Sequence, residues 1–173
     1  MDKFLNIPEQ DLVVNVTSIT QIGSAGLSTT SSTAFDNVSV GDIVHEATTN
    51  KYYLVSGLID GNQLNITALD GGAVPILASK ECFIHSATTS KSQLVSCAGV
   101  GLIEQASTST VTITFDDASA SDVVTLTHVP LGSGSEAMRD ALQNEVISAL
   151  QTAWTSVSNS VELPKQVIGV SIG

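Results

Sequence analysis

Thr110-Val111-Thr112-Ile113-Thr114-Phe115 alternates without a fault, with Val111, Ile113 and Phe115 at one parity and three threonines at the other. Period two of this kind commits a segment to an extended strand with one dry face and one wet face. The same chemistry pervades the chain: Ser and Thr supply 41 of its 173 residues, and Val and Ile another 32. A mainly β protein follows. Beyond an acidic turn, residues 122–129 return antiparallel with Val124 and Leu126 on the dry face, and Pro130 and Gly132 stop the sheet.

One helix follows that sheet. Ser133 and Glu136 have the spacing of a capping box, in which hydroxyl and carboxylate satisfy amides that the first turn leaves free. Met138, Leu142, Val146, Ala149, Ala153 and Val157 recur at three- and four-residue steps, and Ala141, Leu150 and Trp154 widen the stripe. The expected helix covers residues 135–156, about 33 Å at the helical rise, enough to cross several strands. Residues 167–172 add a last strand. Residues 92–173 thus read as an α+β domain, an antiparallel sheet covered by one long helix.

The N-terminal half is all strands and turns. Residues 11–17 read as a strand, and residues 23–33 lack periodicity and bulk, as a surface loop or ragged edge strand would. A Gly41-Asp42 turn leads strands over 38–44, 51–59 and 63–67, with Asp60-Gly61-Asn62 as a hairpin whose glycine accepts positive φ. Over about residues 38–79 this resembles the opening strands of a small SH3-like β-barrel, a shape that recurs across unrelated functions. Residues 81–85 give a further strand, and the hydroxyl-rich stretch 86–91 reads as a linker. The expected division is therefore 1–85, a β-rich N-terminal domain, and 92–173.

Charge excludes one class of partner. Seventeen acids against five Lys and one Arg leave a formal charge of -11, the wrong sign for a groove that neutralises phosphates. No apolar run reaches the 18 residues of a membrane span, and the start lacks the basic n-region and apolar run of a signal peptide. Asn15, Asn37 and Asn65 begin glycosylation triplets that a chain so rich in Ser and Thr produces by chance. Cys82 and Cys97 could bridge if two strands met, although two buried thiols are the commoner state in a reducing cell.

Catalytic patterns are missing from the sequence. His45, His85 and His128 have no partner at ligand spacing, and Cys82 with His85 offers two donors where zinc takes four. His128 reads as a rim group at a strand end. Asp116, Asp117 and Asp122 gather acid around one hairpin but lack a calcium-loop pattern, while Asp60 and Asp70 flank glycine turns. There is no Gly-x-Ser-x-Gly elbow, phosphate-binding loop or dinucleotide fingerprint. The expectation is a non-enzyme without cofactor or metal. Tyr52, Tyr53 and Trp154 are the large aromatics that would mark a sugar-binding or partner-binding surface. Lysine, the usual guard of exposed sheet edges, is scarce, so edges protected by assembly into a homo-oligomer are expected.

One resemblance extends this. Residues 107–113, 122–128, 136–142 (Glu136-Ala137-Met138-Arg139-Asp140-Ala141-Leu142) and 149–154 (Ala149-Leu150-Gln151-Thr152-Ala153-Trp154) look like small virion-associated proteins of marine tailed phages. The likeness covers about residues 94–173, with a looser echo in residues 1–8. It implies a structural protein of a bacteriophage virion, assembled in the host cytoplasm and bound to the head as a capsid decoration or cement component. The major capsid protein or another virion protein would be its partner, with neither nucleic acid nor membrane involved. It carries over no catalytic residue. A carbohydrate-binding or adhesion module is the alternative, with threonine-rich faces and exposed aromatics as its contacts.

Overall fold

A computed structural model describes residues 2–17, 19–69, 72–74, 80–116, 122–151 and 156–173. Strands make up 53% of the chain, one helix is present among the described residues, and the sheet is open and mixed. Residues 11–89 form one unit, and residues 1–10 with 90–173 form the other. The first ten residues, expected in the N-terminal domain, thus belong with the C-terminal part.

The C-terminal unit is built from β1 (Phe4–Val16), whose first half lies here, with β8 (Val100–Ser107), β9 (Thr110–Phe115), β10 (Val123–His128), β11 (Ser158–Ser160) and β12 (Val167–Ile172). The strands run β1-β12-β10-β9-β8, and β11 pairs with β1. β1 lies parallel to β11 and β12, whereas β12, β10, β9 and β8 are antiparallel. Leu5, Ile7 and Glu9 alternate as buried residues along β1. Pro8 between them hides that pattern, because proline usually argues against a strand interior.

The helix α1 (Ala137–Leu150) has 14 residues, shorter than expected. Met138, Leu142, Val146 and Ala149 are buried as the stripe requires, in one cluster with Leu5, Ile7, Ile103, Val111, Ile113, Val124, Leu126 and Val167. Each large aliphatic side chain removed from water there contributes about 1.5–3 kcal/mol. Leu150 does not widen the stripe: it is 60% exposed, and Val157 is exposed beyond the helix. Ala153 and Trp154 lie outside the described residues. No capping box forms. The helix opens at Glu136 without a side-chain cap, and that carboxylate pairs with Arg139 one turn on.

Gly101 sits at a register shift of β8 opposite β9. A Cβ there would meet the Asp116 carboxylate at 1.9 Å, so a bulge and a close approach coincide at one glycine.

The other unit pairs its strands antiparallel, β2 (Thr20–Ile22), β3 (Gly26–Ser28), β6 (Gln63–Ala68), β5 (Lys51–Asp60), β4 (Ile43–Glu46) and β7 (Cys82–Ser96) following in that order. Residues 86–91, expected as a linker, are strand within β7. Part of the expected loop over 23–33 is β3, which inserts Leu27 into a core with Phe35, Val44, Tyr53, Val55, Leu64, Ile66 and Ile84. Gly61 of the β5–β6 hairpin is not in the positive-φ region. Its Cβ would lie 2.4 Å from the Ser32 carbonyl oxygen, so space, not dihedral freedom, requires glycine. Asp70, expected beside a glycine turn, lies outside the described residues.

Candidate functional site

The nominated aromatics do not make an exposed platform. Tyr52 and Tyr53 are neighbours on β5, 5% and 2% exposed. Adjacent strand residues point to opposite faces, yet both are covered. Tyr53 belongs to the core cluster. The Tyr52 ring stacks on His45 across the β4–β5 pair, with centroids 4.5 Å apart and an 11° interplanar angle. Its hydroxyl donates to Asn50 Oδ1 at 3.1 Å, and His45 Nε2 lies 2.8 Å from the same oxygen. Burial lowers the His45 pKa more than Asn50 and Glu46 raise it. Trp154 lies outside the described residues.

The other nominated groups are dispersed. No three His, Cys, Asp or Glu side chains among the described residues are placed to hold a metal. Cys82 and Cys97 are free, buried thiols in separate cores. Burial, with Glu46 and Glu81 adding negative charge, pushes Cys82 up to about 12. Of the acidic hairpin, Asp116 fills the space above Gly101. Asp122 lines a groove, and Asp117 lies outside the described residues. His128 is no rim residue. It is fully buried on the face it shares with Val124 and Leu126.

Three buried carboxylates escaped sequence reading: Glu9 on β1, and Asp42 and Glu46 in the residue 11–89 unit. Asp42 accepts from Ser39 N at 2.8 Å and from Ala87 N at 3.0 Å, tying the turn after Gly41 to β7. Glu46 accepts from the Thr48 and Thr49 amides at 2.7 and 3.0 Å and from the Thr49 hydroxyl. Burial works to raise the Glu46 pKa, but the donors of Thr49 and Thr48 outweigh it, and the group stays below the usual carboxylate range. Asp42 and Glu46 both close turns. Gly41 before Asp42 and the Thr48-Thr49 pair after Glu46 signal turns, but nothing local signals burial.

What the C-terminal unit does present is surface. Leu94, Val95, Ser96, Ala98, Phe115, Val124 and Ile172 help to line a groove of about 510 Å³, with Asp122 as its charged residue. Ile172, 80% exposed, and Leu94, 63% exposed, stand beside it. On the sheet face turned from α1, Thr112 pairs with Thr125 and Thr110 with Thr127, and Thr125 also pairs with Ser171. This hydroxyl face is the wet side that the alternation predicts.

The sheet edges carry guards other than lysine. β8 has register shifts at both ends and an exposed Glu104 between them. Gln143 of α1 reaches the Ile103 carbonyl at 3.5 Å. β2, the edge of the other unit, is three residues long. Bulges, charge and shortness each discourage pairing with another strand.

Comparison with family models, with curated proteins and with solved structures finds no match. No described helix is long and apolar enough to cross a membrane.

Proposed function

We propose that this chain is a non-enzymatic structural protein of a phage virion, a capsid decoration or cement component working through protein–protein contacts. Its partners in this reading are the major capsid protein or another virion protein, and further copies of itself; it binds neither nucleic acid nor membrane. The observation that carries the reading is the apolar groove beside the exposed Leu94 and Ile172. Aliphatic side chains left this open at a concave surface suit a contact whose core is dry and whose rim is polar. The virion setting rests on the resemblance of residues 94–173. An SH3-like shape over about residues 38–79 belongs to the same proposal, with β4, β5 and β6 supplying its meander.

Co-sedimentation with assembled capsids tests it. Wild-type protein is expected in the capsid pellet, and a Leu94→Ser/Ile172→Ser double variant in the supernatant with its circular dichroism unchanged. Wild-type protein that stays in the supernatant overturns the reading.

A glycan-binding module is the second reading, favoured by the hydroxyl face of β9 and β10. Burial of Tyr52 and Tyr53 removes two of the three aromatics it drew on. A glycan array separates the two: a specific signal abolished by Thr112→Val/Thr125→Val supports the module.

A further inference from the structure

His128 and Gln105 are locked together in the core of the C-terminal unit. His128 Nδ1 lies 2.9 Å from the Val129 carbonyl oxygen, and its Nε2 lies 2.9 Å from Gln105 Nε2. A carbonyl only accepts, so Nδ1 bears the hydrogen. An amide nitrogen only donates, so Nε2 is a lone pair and the imidazole is neutral. The same Gln105 nitrogen donates to the Ser107 carbonyl at 2.7 Å and the Thr110 carbonyl at 3.1 Å. Three acceptors therefore share two hydrogens. Gln105 Oε1, meanwhile, is buried without a hydrogen-bond partner. An idle acceptor next to a ring nitrogen able to take a proton gives the network a second state.

We propose that protonation of His128 turns the Gln105 amide over and releases the turn between β8 and β9. One proton enters from solvent onto Nε2. The imidazolium keeps its Nδ1 bond to Val129 and donates its new N–H to Gln105 Oε1. Turned over, that oxygen faces the Ser107 and Thr110 carbonyls, which lose their donor and are repelled. Thr108 and Ser109, whose carbonyls accept from Leu131 N and His128 N, lie in the segment set free.

Few charges bear on this ring. Burial holds its pKa below the usual histidine range; the bond to Val129 opposes that, and Lys165 reinforces it. β9 and the turn bring Ser109 and Thr110, β12 brings Val167, and on β8 Glu104 is exposed while its neighbour Gln105 meets the ring. Glu9 of β1, opposite Val167, is engaged by Lys91 and Gln93. The switch accordingly operates below the ordinary histidine range.

Nuclear magnetic resonance of imidazole nitrogens and glutamine side-chain amides, with amide-exchange protection, tests it between about pH 7.5 and 4.5. His128 and the Gln105 side chain are expected to change with one midpoint. Protection over residues 107–110 should fall at least about tenfold there while Val111 and Ile113 stay protected. In Gln105→Glu, which accepts but cannot donate to the two carbonyls, the turn should be unprotected already at neutral pH and the His128 midpoint raised. The proposal is overturned if wild-type His128 stays neutral until the fold melts, or if it titrates with residues 107–110 protected throughout.

Discussion

Asp42 is the sharpest single test of the residue 11–89 unit. Asp42→Ala removes both acceptors from a side chain only 2% exposed, leaving the Ser39 and Ala87 amides without them. A hydrogen bond to a charged group contributes about 1.5–3 kcal/mol, and an orphaned buried donor costs about 1–3 kcal/mol. Both sites are part-buried, so water recovers some of the loss, and about 2–4 kcal/mol of destabilisation is expected. Asp42→Asn keeps one oxygen for Ala87 and turns an NH₂ against the Ser39 N–H, for about half the cost. Native-state hydrogen exchange at Val44 and Val55, followed against urea, reads this unit separately from the other. Protection there should fall about 30- to 900-fold in the alanine variant. The reasoning fails if Asp42→Ala lies within about 0.5 kcal/mol of wild type, or if both variants lose the same stability.

Three further outcomes follow. Leu142→Ala should cost about 2–5 kcal/mol by opening a cavity beneath α1, read as lost exchange protection at Val111 and Leu126. Cys82 should resist alkylation at pH 8, where a thiol pushed up to about 12 is ionised in about one molecule in ten thousand, and should react once urea unfolds the chain. Acid should weaken the fold in two stages. His128 has a folded pKa below its unfolded value, so stability is full above about pH 6.5 and declines below it as the unfolded chain gains the proton first. Glu46 also has a depressed folded pKa; its contribution is present above about pH 4.5 and disappears as pH falls through the folded value. Urea titrations across that range should show both declines, and His128→Gln should lessen the first, with His45, also held below its usual value by burial, supplying the remainder.

Legibility in the sequence tracked how strongly local pattern reported burial. β9 and β10 were readable because one face is packed and one is wet, and Met138, Leu142, Val146 and Ala149 because a helix over a sheet repeats at 3.6 residues. The middle of β7 was not readable: residues 86–91 are hydroxyl-rich, and neighbouring strands rather than their own side chains keep them extended. Leu150 continued the helical spacing but sits in the last turn, where a correct period no longer guarantees a packed neighbour. Tyr52 and Tyr53 are not exposed as expected, Tyr52 being covered by His45, a cross-strand neighbour that only the register reveals. Nothing local marks Asp42 or Glu46 for burial, which depends on where β7 and the 47–50 turn fall.

Quantitative mass spectrometry of purified phage particles addresses the contact role most directly. The account predicts this chain in washed particles at a fixed ratio to the major capsid protein. Particles that lack it, prepared from lysates in which the free chain is abundant, would contradict the account.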